Sequence, residues 1–585
     1  MSFRLNHGRT LRLRWLGDRV AYRDAHALQR ALWAAGPGAD DWLLLLEHSH
    51  VYTAGARAKP EHMLVDPGSV GAELVKADRG GDITYHGPGQ LVGYPVLSVL
   101  SGPGATPAYV HELEQLVIDA LAELGLPGAG RLPGYPGVWL DADGPQPRKI
   151  CAIGARHSRQ RTMHGFALNV GTDMSMFEHI VPCGIVGKAV TSMAAEGAEA
   201  PMAEVVGTFF DLAARRWGSG RKVERQDCWL SGGTGARAAA ASGSGRVAGT
   251  TDPAEGSVGA LAPRAVDPLS RSRDEAQPVR LLGRLAAAGV DPGAALAVRS
   301  RKPEWLRARA DMGTGYRSLH KTVHGLGLAT VCEEAGCPNI FECWADGTAT
   351  FMINGEHCTR ACGFCQVSTA KPLPLDPGEP QRVAEAVARL GLAHAVITCV
   401  ARDDLADGGA SGFAATIEAV RSRCPATAVE VLVSDCKGDP TSLATIFERR
   451  PDVLNHNVET VPRLQRAVRP SASYTRSLAV LSRAVGAGLV AKSGLMVGLG
   501  ETEDELYGVF ADLAAIGVSI VTVGQYLRPS AKHLPVTRWY SPDEFRRIAD
   551  TGRRLGLRQV VASPLTRSSY HARQAAQLPS TAAAG

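Results

Sequence analysis

No apolar run in this 585-residue sequence approaches the roughly 20 residues that a membrane span requires; stretches such as Trp42–Leu46 stop after a handful. Charge of one sign is equally scarce. The 63 Lys and Arg against 58 Asp and Glu leave +5 over the whole chain, which gives no argument for a nucleic-acid partner. The Arg-rich stretch from Arg9 to Arg19 therefore reads as solvated surface. The N-terminus is polar and lacks the apolar core of a signal peptide, so the expected location is the cytoplasm, with no membrane attachment. Cysteine is almost missing from the first 300 residues, which hold only Cys151, Cys183 and Cys228. What is present is globular: 45% hydrophobic and 21% charged residues exclude a largely disordered chain. The length is too great for one hydrophobic core.

Residues 231–275 are dominated by Gly, Ala, Ser and Pro, with few large apolar side chains and no periodicity. Such a segment cannot bury enough surface to offset its conformational entropy, and it reads as a flexible linker. As a coil its ends would lie roughly 35–40 Å apart. It divides the chain into domains 1–230 and 276–585. The first is expected to be α+β, with buried strands at Trp42–Leu46, Leu91–Leu97 and Phe166–Val170 and an amphipathic helix over Ala108–Leu124. In the second, strand-like runs at 349–353, 394–400, 428–433, 452–455, 490–497 and 519–524 alternate with helical patterns. The helices are expected near 380–391, 411–423, 441–450, 474–488 and 503–516. Repeated βα units predict a parallel sheet, a partial TIM-like barrel of (βα)6 type with its site on the loops after the strands.

The other nine cysteines are crowded. Six fall between Cys332 and Cys365, and Cys399, Cys424 and Cys436 follow. The sharpest signal is Cys358-Thr-Arg-Ala-Cys362-Gly-Phe-Cys365. Three thiolates at these spacings suit a 4Fe–4S cluster with one open iron better than a four-ligand zinc site. The triplet resembles the signature of radical S-adenosylmethionine enzymes, which implies that the open iron holds that cofactor and that its reductive cleavage yields a carbon radical. Gly408 and Gly409 then match a Gly-rich segment contacting the cofactor, although a Gly pair also suits an ordinary turn.

A second triplet, Cys332, Cys337 and Cys343, precedes the first, and Arg567-Ser568-Ser569-Tyr570 closes the chain's last motif. Together with Lys302-Pro-Glu-Trp, Asn455-His-Asn and Gln525-Tyr-Leu-Arg-Pro-Ser530, these make residues 300–575 similar to lipoyl synthase. The resemblance implies two 4Fe–4S clusters, the auxiliary one held by Cys332, Cys337, Cys343 and Ser569. It also implies sulfur insertion at C6 and C8 of an octanoyl chain and a flavodoxin- or ferredoxin-type reductant. The chain departs from the family at Cys399, Ala401, Ser434 and Cys436, which bears on cofactor fit and rate rather than on reaction type.

In the first half, Arg79-Gly80-Gly81-Asp82-Ile83-Thr84-Tyr85-His86 runs into a strand. Lys149, then Ala152-Ile153-Gly154, Gly165-Phe166-Ala167 and Pro182-Cys183-Gly184 follow. Residues 10–220 resemble the octanoyltransferase that acts from acyl carrier protein, which implies the fold of biotin and lipoate protein ligases. The resemblance makes Cys183 the nucleophile, Lys149 its partner, and the other segments an octanoyl site. A thiolate suits this chemistry because it splits one acyl transfer into two easier steps, and a nearby ammonium favours it. An ATP-using ligase and a non-catalytic docking module remain the rival readings. Cys151, Cys228, Cys399, Cys424 and Cys436 read as small apolar residues. The expected substrates are octanoyl-acyl carrier protein and the lipoyl domains of 2-oxoacid dehydrogenase E2 subunits and of the glycine cleavage H protein. The linker should add local concentration rather than a sealed channel; whether the halves touch is open.

Overall fold

A computed structural model describes residues 3–6, 10–182, 188–226, 276–297, 300–307, 313–345 and 348–569. The expected linker 231–275, Cys183 and Tyr570 lie outside them. Strand Asp41–Leu46 explains the N-terminal half. Its side chains alternate between two apolar clusters, Trp42, Leu44 and Leu46 on one face and Leu43 and Leu45 on the other. A strand apolar on both faces must lie inside a sheet covered on both sides. Here it sits between the parallel strand Thr10–Trp15 and the antiparallel strand Gln90–Val96. The sheet continues through Arg161–Asn169 and Arg148–Ser158 to Tyr135–Leu140, and Lys222–Gln226 closes its other edge. Helices Ala105–Glu123 and Met202–Trp217 cover one face, and helix Tyr22–Ala34 lies against the other. The three expected strands and the expected helix are all present, shifted by one to five residues at their ends.

The described residues of the C-terminal half hold seven parallel strands in chain order: Ala349–Ile353, His394–Cys399, Ala428–Leu432, Val453–Asn455, Ala491–Val497, Ile520–Gln525 and Gln559–Ser563. A short antiparallel strand, Ala329–Thr330, flanks the first. Six of the seven were expected. The seventh follows helix Pro542–Arg554, whose buried residues are Phe545, Ile548, Ala549 and Gly552, too sparse an apolar stripe to stand out among its charges. A capping box at Ser541 and Glu544 does mark its start. No helix among the described residues is long and apolar enough to cross a membrane.

The two halves share one core. Leu28 and Leu32 of helix Tyr22–Ala34 and Val92, Tyr94 and Val96 of the sheet belong to the same apolar cluster as Leu478, Leu481, Leu506 and Val509 of the barrel helices. Burying each leucine contributes roughly 1.5–3 kcal/mol. Helix Tyr22–Ala34 packs on barrel helix Tyr474–Gly486, and Thr475 Oγ1 donates to the Leu16 carbonyl at 2.9 Å. The Gln226 side-chain amide lies directly over Gly508, where a Cβ would force it to move.

This docking corrects the reading of the Arg-rich stretch as solvated surface. Arg12 and Arg14 are 6% and 1% exposed. On strand Thr10–Trp15, Leu11, Leu13 and Trp15 face the core, and the alternating arginines face the barrel side. Arg12 pairs with Asp40 and Glu224, and Arg14 Nε donates to Asp512 Oδ1 at 2.9 Å, with Tyr474 donating to the other oxygen of Asp512 at 3.0 Å. A polar strand face looks solvated until a second domain covers it.

Contact on this scale predicts that the halves stay together without the linker. Protein cleaved near residue 250 should co-elute as one species on size exclusion. Arg14→Met, which leaves Asp512 buried without its cation, should weaken docking by about 3–5 kcal/mol and separate the cleaved halves at low concentration. Cleaved wild-type halves that elute apart would refute the shared core.

Candidate functional site

Sequence-distant segments converge in the N-terminal half. Gly165, Phe166 and Ala167 pair in register with Gly154, Ile153 and Ala152. The loop from Arg79 to His86 folds over this pair of strands. Arg79 is buried and donates to the Thr53 carbonyl at 2.5 Å and to Thr53 Oγ1 at 2.8 Å. A Cβ on Gly154 would lie 3.2 Å from Arg79 Cδ and from the Gly80 carbonyl; glycine lets the loop settle on the strand. Asp82 accepts from the Ile83 and Lys59 amides, at 2.7 and 3.2 Å, and meets His62 Nδ1 at 2.5 Å. The backbone of His62 in turn takes the Val181 amide at 2.9 Å, so the chain entering Cys183 is anchored beside the loop. Thr84 and Tyr85 are buried in strand Ile83–His86, and the Tyr85 hydroxyl meets His50 at 2.7 Å. The Phe166 ring packs on Phe209 in the core with centroids 5.0 Å apart, so this residue offers a ligand its backbone only.

Lys149 is 6% exposed on strand Arg148–Ser158, with Nζ 4.7 Å from the centroid of the Trp139 ring. Gly137, at φ 125°, lies beside the lysine stem where a Cβ would strike the Cys151 carbonyl at 2.6 Å. Among the described residues no carboxylate pairs with the ammonium. Cys151 is fully buried in the core, as a small apolar residue should be.

The structure adds residues that the motifs did not single out. His48 is fully buried. Its Nδ1 donates to the Val20 carbonyl at 2.8 Å, leaving Nε2 to accept from the Tyr94 hydroxyl at 2.7 Å. Its ring lies 5.7 Å from that of His86. Burial pushes His48 down to about 4, and burial with the charges of His48 and Arg79 pushes His86 well below the ordinary range. Burial also lowers His164, whose amide donates to Gln29 Oε1 of helix Tyr22–Ala34 at 2.9 Å. His86 closes the first sequence motif and His164 directly precedes Gly165 of another, whereas His48 lay in no motif. His26, Asp78 and His164 gather within 4.8 Å, but both imidazoles already bond Asp78 and Arg156 pairs with it. The group is charge-balanced without an ion.

In the C-terminal half a cavity of about 580 Å³ opens over the strand ends. Its wall includes Cys332, Cys337, Cys358, Cys362, Cys365, Ser568 and Ser569, so both cysteine groups and the C-terminal serines face one space. Cys343, on helix Ile340–Ala345, packs beside Cys337 against the neighbouring apolar cluster rather than in the wall. Asn339 Nδ2 donates to the Leu565 carbonyl at 2.6 Å and Asn457 Nδ2 to Ser568 Oγ at 2.7 Å. These bonds hold the C-terminal loop over the cysteines.

The loop after strand Ala349–Ile353 is pinned by Cys358 N to the Ser368 carbonyl and Gly363 N to the Val468 carbonyl, at 2.8 and 2.9 Å. Between its cysteines, Arg360 forks onto Asp403 with two bonds of 2.7 Å and reaches Asp435 with a third of 2.7 Å. Burial pushes Cys362 up to about 12 and Cys365 and Cys332 up to about 11, and the neighbouring cysteines add to each shift. Such thiols become thiolates when a metal replaces their protons.

The donor set fits a cluster better than a single ion. Zn–S bonds of about 2.3 Å place tetrahedral sulfurs about 3.8 Å apart. Among the described residues no cysteine triplet lies wholly within 4.8 Å. Gly408 and Gly409, at φ 62° and 90°, enter helix Ala410–Arg423. A Cβ on Gly408 would lie 2.9 Å from Cys436 Cα, and one on Gly409 2.6 Å from Asn354 Nδ2. Both lie in this turn, outside the cavity wall. Cys399, Ala401 and Ser434 do line it, so three of the four family departures face the site.

Comparisons agree with this division. The lipoyl protein ligase A/B catalytic domain matches residues 21–211, the N-terminal domain of lipoyl synthase residues 294–337, and the radical SAM superfamily residues 352–513. The lipoyl synthase of Rubrobacter xylanophilus is 55% identical over 278 residues, 47% of this chain and 87% of that protein. That of Mycobacterium tuberculosis is 55% identical over 272 residues, 46% and 88%. A bipartite lipoate protein ligase from Thermoplasma acidophilum, 18% identical, covers 38% of this chain and 87% of its own with a TM-score of 0.31. The protein is a radical SAM enzyme fused to a lipoate ligase- or transferase-like domain. Through its C-terminal half it belongs to the lipoyl synthase family, and with that family come 4Fe–4S chemistry and S-adenosylmethionine.

The buried histidines predict a pH dependence. Below about pH 6.5 the unfolded chain takes up a proton at His48 that the folded chain refuses until about pH 4. Stability is therefore full at neutral pH and lost as pH falls, by about 2 kcal/mol from His48 alone at pH 5. The melting temperature of the wild type should drop between pH 7 and 5, and that of His48→Gln should drop less. Parallel curves for the two proteins would count against a neutral buried imidazole.

Proposed function

We propose that the chain carries out two consecutive steps of protein lipoylation. Octanoyl passes from octanoyl-acyl carrier protein to Cys183, then to a lysine of a lipoyl domain, and sulfur is inserted at C6 and C8 of the attached chain. The supporting observation is the pairing, in one chain, of a buried Lys149, held against Val190 a few residues past Cys183, with a single cavity walled by Cys332, Cys337, Cys358, Cys362, Cys365 and Ser569. Domains 1–230 and 276–585 with the linker 231–275 belong to this reading, as does a cytoplasmic site of action. Strand Lys222–Gln226 ends the first sheet, and helix Ala276–Ala287 begins the second half.

In the first step the Cys183 thiolate displaces the carrier's thiol, and the substrate lysine then displaces Cys183. Lys149 gives its proton to the departing carrier thiolate and, then neutral, takes the proton of the attacking amine. The segments 79–86, 152–154 and 165–167 hold the acyl group, largely through backbone, with Arg79 and Asp82 spent on shaping the loop. In the second half, Cys358, Cys362 and Cys365 would hold one 4Fe–4S cluster, and Cys332, Cys337, Cys343 and Ser569 a second. The resemblance to lipoyl synthase makes Ser569 the hard ligand among soft ones, the weaker bond in that set, and the neighbouring Ser568 hydroxyl accepts from Asn457. When bound, the clusters and S-adenosylmethionine supply the radical that removes hydrogen from unactivated carbon and the sulfur that replaces it. The chain itself encloses the reactive space and aligns the octanoyl group. A flavodoxin- or ferredoxin-type donor supplies electrons, and E2 lipoyl domains and the H protein are the carriers.

Cys183→Ala should abolish octanoyl transfer while sulfur insertion into a pre-octanoylated lipoyl domain continues. Near-normal transfer by the variant, or transfer that needs ATP, would remove the covalent mechanism in favour of a ligase. Reconstituted without oxygen, the protein should hold about eight irons per chain, falling to about four when Cys358, Cys362 and Cys365 become Ala. A protein that takes up only zinc would end the radical assignment.

A further inference from the structure

Asp24 belongs to the transferase half, yet every ion partner the structure gives it belongs to the synthase half. It sits in the first turn of helix Tyr22–Ala34, 3% exposed. Arg476 Nε lies 3.2 Å from one of its carboxylate oxygens and Arg483 Nη1 3.1 Å from the other. The two arginines are seven residues apart on helix Tyr474–Gly486, two turns, and so point from one face. Arg483 also donates to the Arg23 carbonyl at 2.9 Å, fixing the fork on the end of the helix.

The charges continue inward. Arg476 Nη1 stands 3.9 Å from Asp435 Oδ2, and that oxygen, in a residue 1% exposed, has no hydrogen-bond partner among the described residues. Asp435 Oδ1 accepts from Arg360 at 2.7 Å. Arg360 is the middle one of the three residues between Cys358 and Cys362, and its other bonds go to Asp403. Three carboxylates, Asp24, Asp435 and Asp403, thus alternate with three guanidiniums, Arg476, Arg483 and Arg360, from the domain interface to the cavity wall. Arg476 is the shared member. With Asp24 in place it is held back from Asp435. Without that charge it would close on the orphaned oxygen and compete with Arg360 for the same carboxylate.

We propose that Asp24 is a positioning residue for the synthase reaction: the transferase half, through this carboxylate, sets the arginine inside the cluster loop. The proposal rests on reading residues 358–365 as the loop that holds the radical cluster. It makes the docked transferase half a working part of the synthase half and not only a neighbour on a tether.

The test compares Asp24→Asn, which keeps the shape and removes the charge, with Asp24→Glu and with Thr475→Val. The last removes an interface hydrogen bond and leaves the ion chain intact. In the full-length reconstituted protein, Asp24→Asn should weaken S-adenosylmethionine binding and raise its KM by roughly threefold to thirtyfold, with kcat changed less. It should also shift the electron paramagnetic resonance spectrum of the reduced, cofactor-bound protein and speed amide hydrogen exchange in residues 355–368. Asp24→Glu should restore these properties, and Thr475→Val should leave them as in the wild type. Octanoyl transfer should be unchanged throughout. Wild-type behaviour of Asp24→Asn in binding, spectrum and exchange would overturn the proposal, and so would Thr475→Val reproducing the defect. If the wild type itself held no cluster and bound no S-adenosylmethionine, the synthase reading would fail instead. Exchange in residues 355–368 would still report whether Asp24 controls the loop.

Discussion

Helix Tyr22–Ala34 has to satisfy two domains at once, and most of the architecture follows from that. Its apolar side chains Ala25, Leu28 and Leu32 join a core that contains strands of the transferase sheet and helices of the barrel. Its polar side chains are committed in both directions: Gln29 accepts from His164 within the transferase site, and Asp24 is answered by Arg476 and Arg483 of the barrel. A carboxylate as buried as Asp24 is costly unless its cations are present. Neither half therefore presents this surface to water without loss. The neighbouring pair Arg14–Asp512 imposes the same condition on strand Thr10–Trp15. Buried ion pairs contribute more to the geometry of docking than to its strength; the apolar cluster supplies the strength.

The same helix places the two chemistries at different depths from the interface. On the transferase side it closes over His48, His86 and His164, whose imidazoles are kept neutral by burial. On the barrel side the interface charges lead to Arg360 and so to the cavity wall. The reactions need little from each other chemically. Acyl transfer asks for a nucleophile and a proton acceptor, whereas sulfur insertion asks for cofactors, an enclosed cavity and alignment. On the proposed reading they share a protein-borne substrate too large to pass through the interior, which presents its lysine arm to each site in turn.

Much of this was legible in the sequence, for physical reasons that differ by element. Strands buried on both faces betray themselves as apolar runs, as Trp42–Leu46 and the barrel strands do. The cysteine triplets were legible because ligand spacing is local. The convergence of 152–154 with 165–167 was visible only as separate motifs, since register between strands is not written in either one. Helix Pro542–Arg554 escaped because charge dominates its composition. Arg12 and Arg14 misled for a deeper reason. Alternation reports which face of a strand is polar, but a polar face can be solvated or paired, and only the partner domain decides. His48 and Tyr94 were likewise hidden, because a buried hydrogen-bonded imidazole carries no local pattern.

The central claim is that one chain both attaches and matures the same acyl group, and intact-mass spectrometry of the carrier addresses it most directly. A lipoyl domain would be incubated with this protein and octanoyl-acyl carrier protein, first alone and then with S-adenosylmethionine and a reductant. The account predicts an octanoylated domain in the first incubation and its conversion to the lipoylated domain in the second, with no other enzyme present. A domain that stays unmodified without ATP and free acid, or an octanoylated domain that gains no sulfur under reducing conditions, would contradict it.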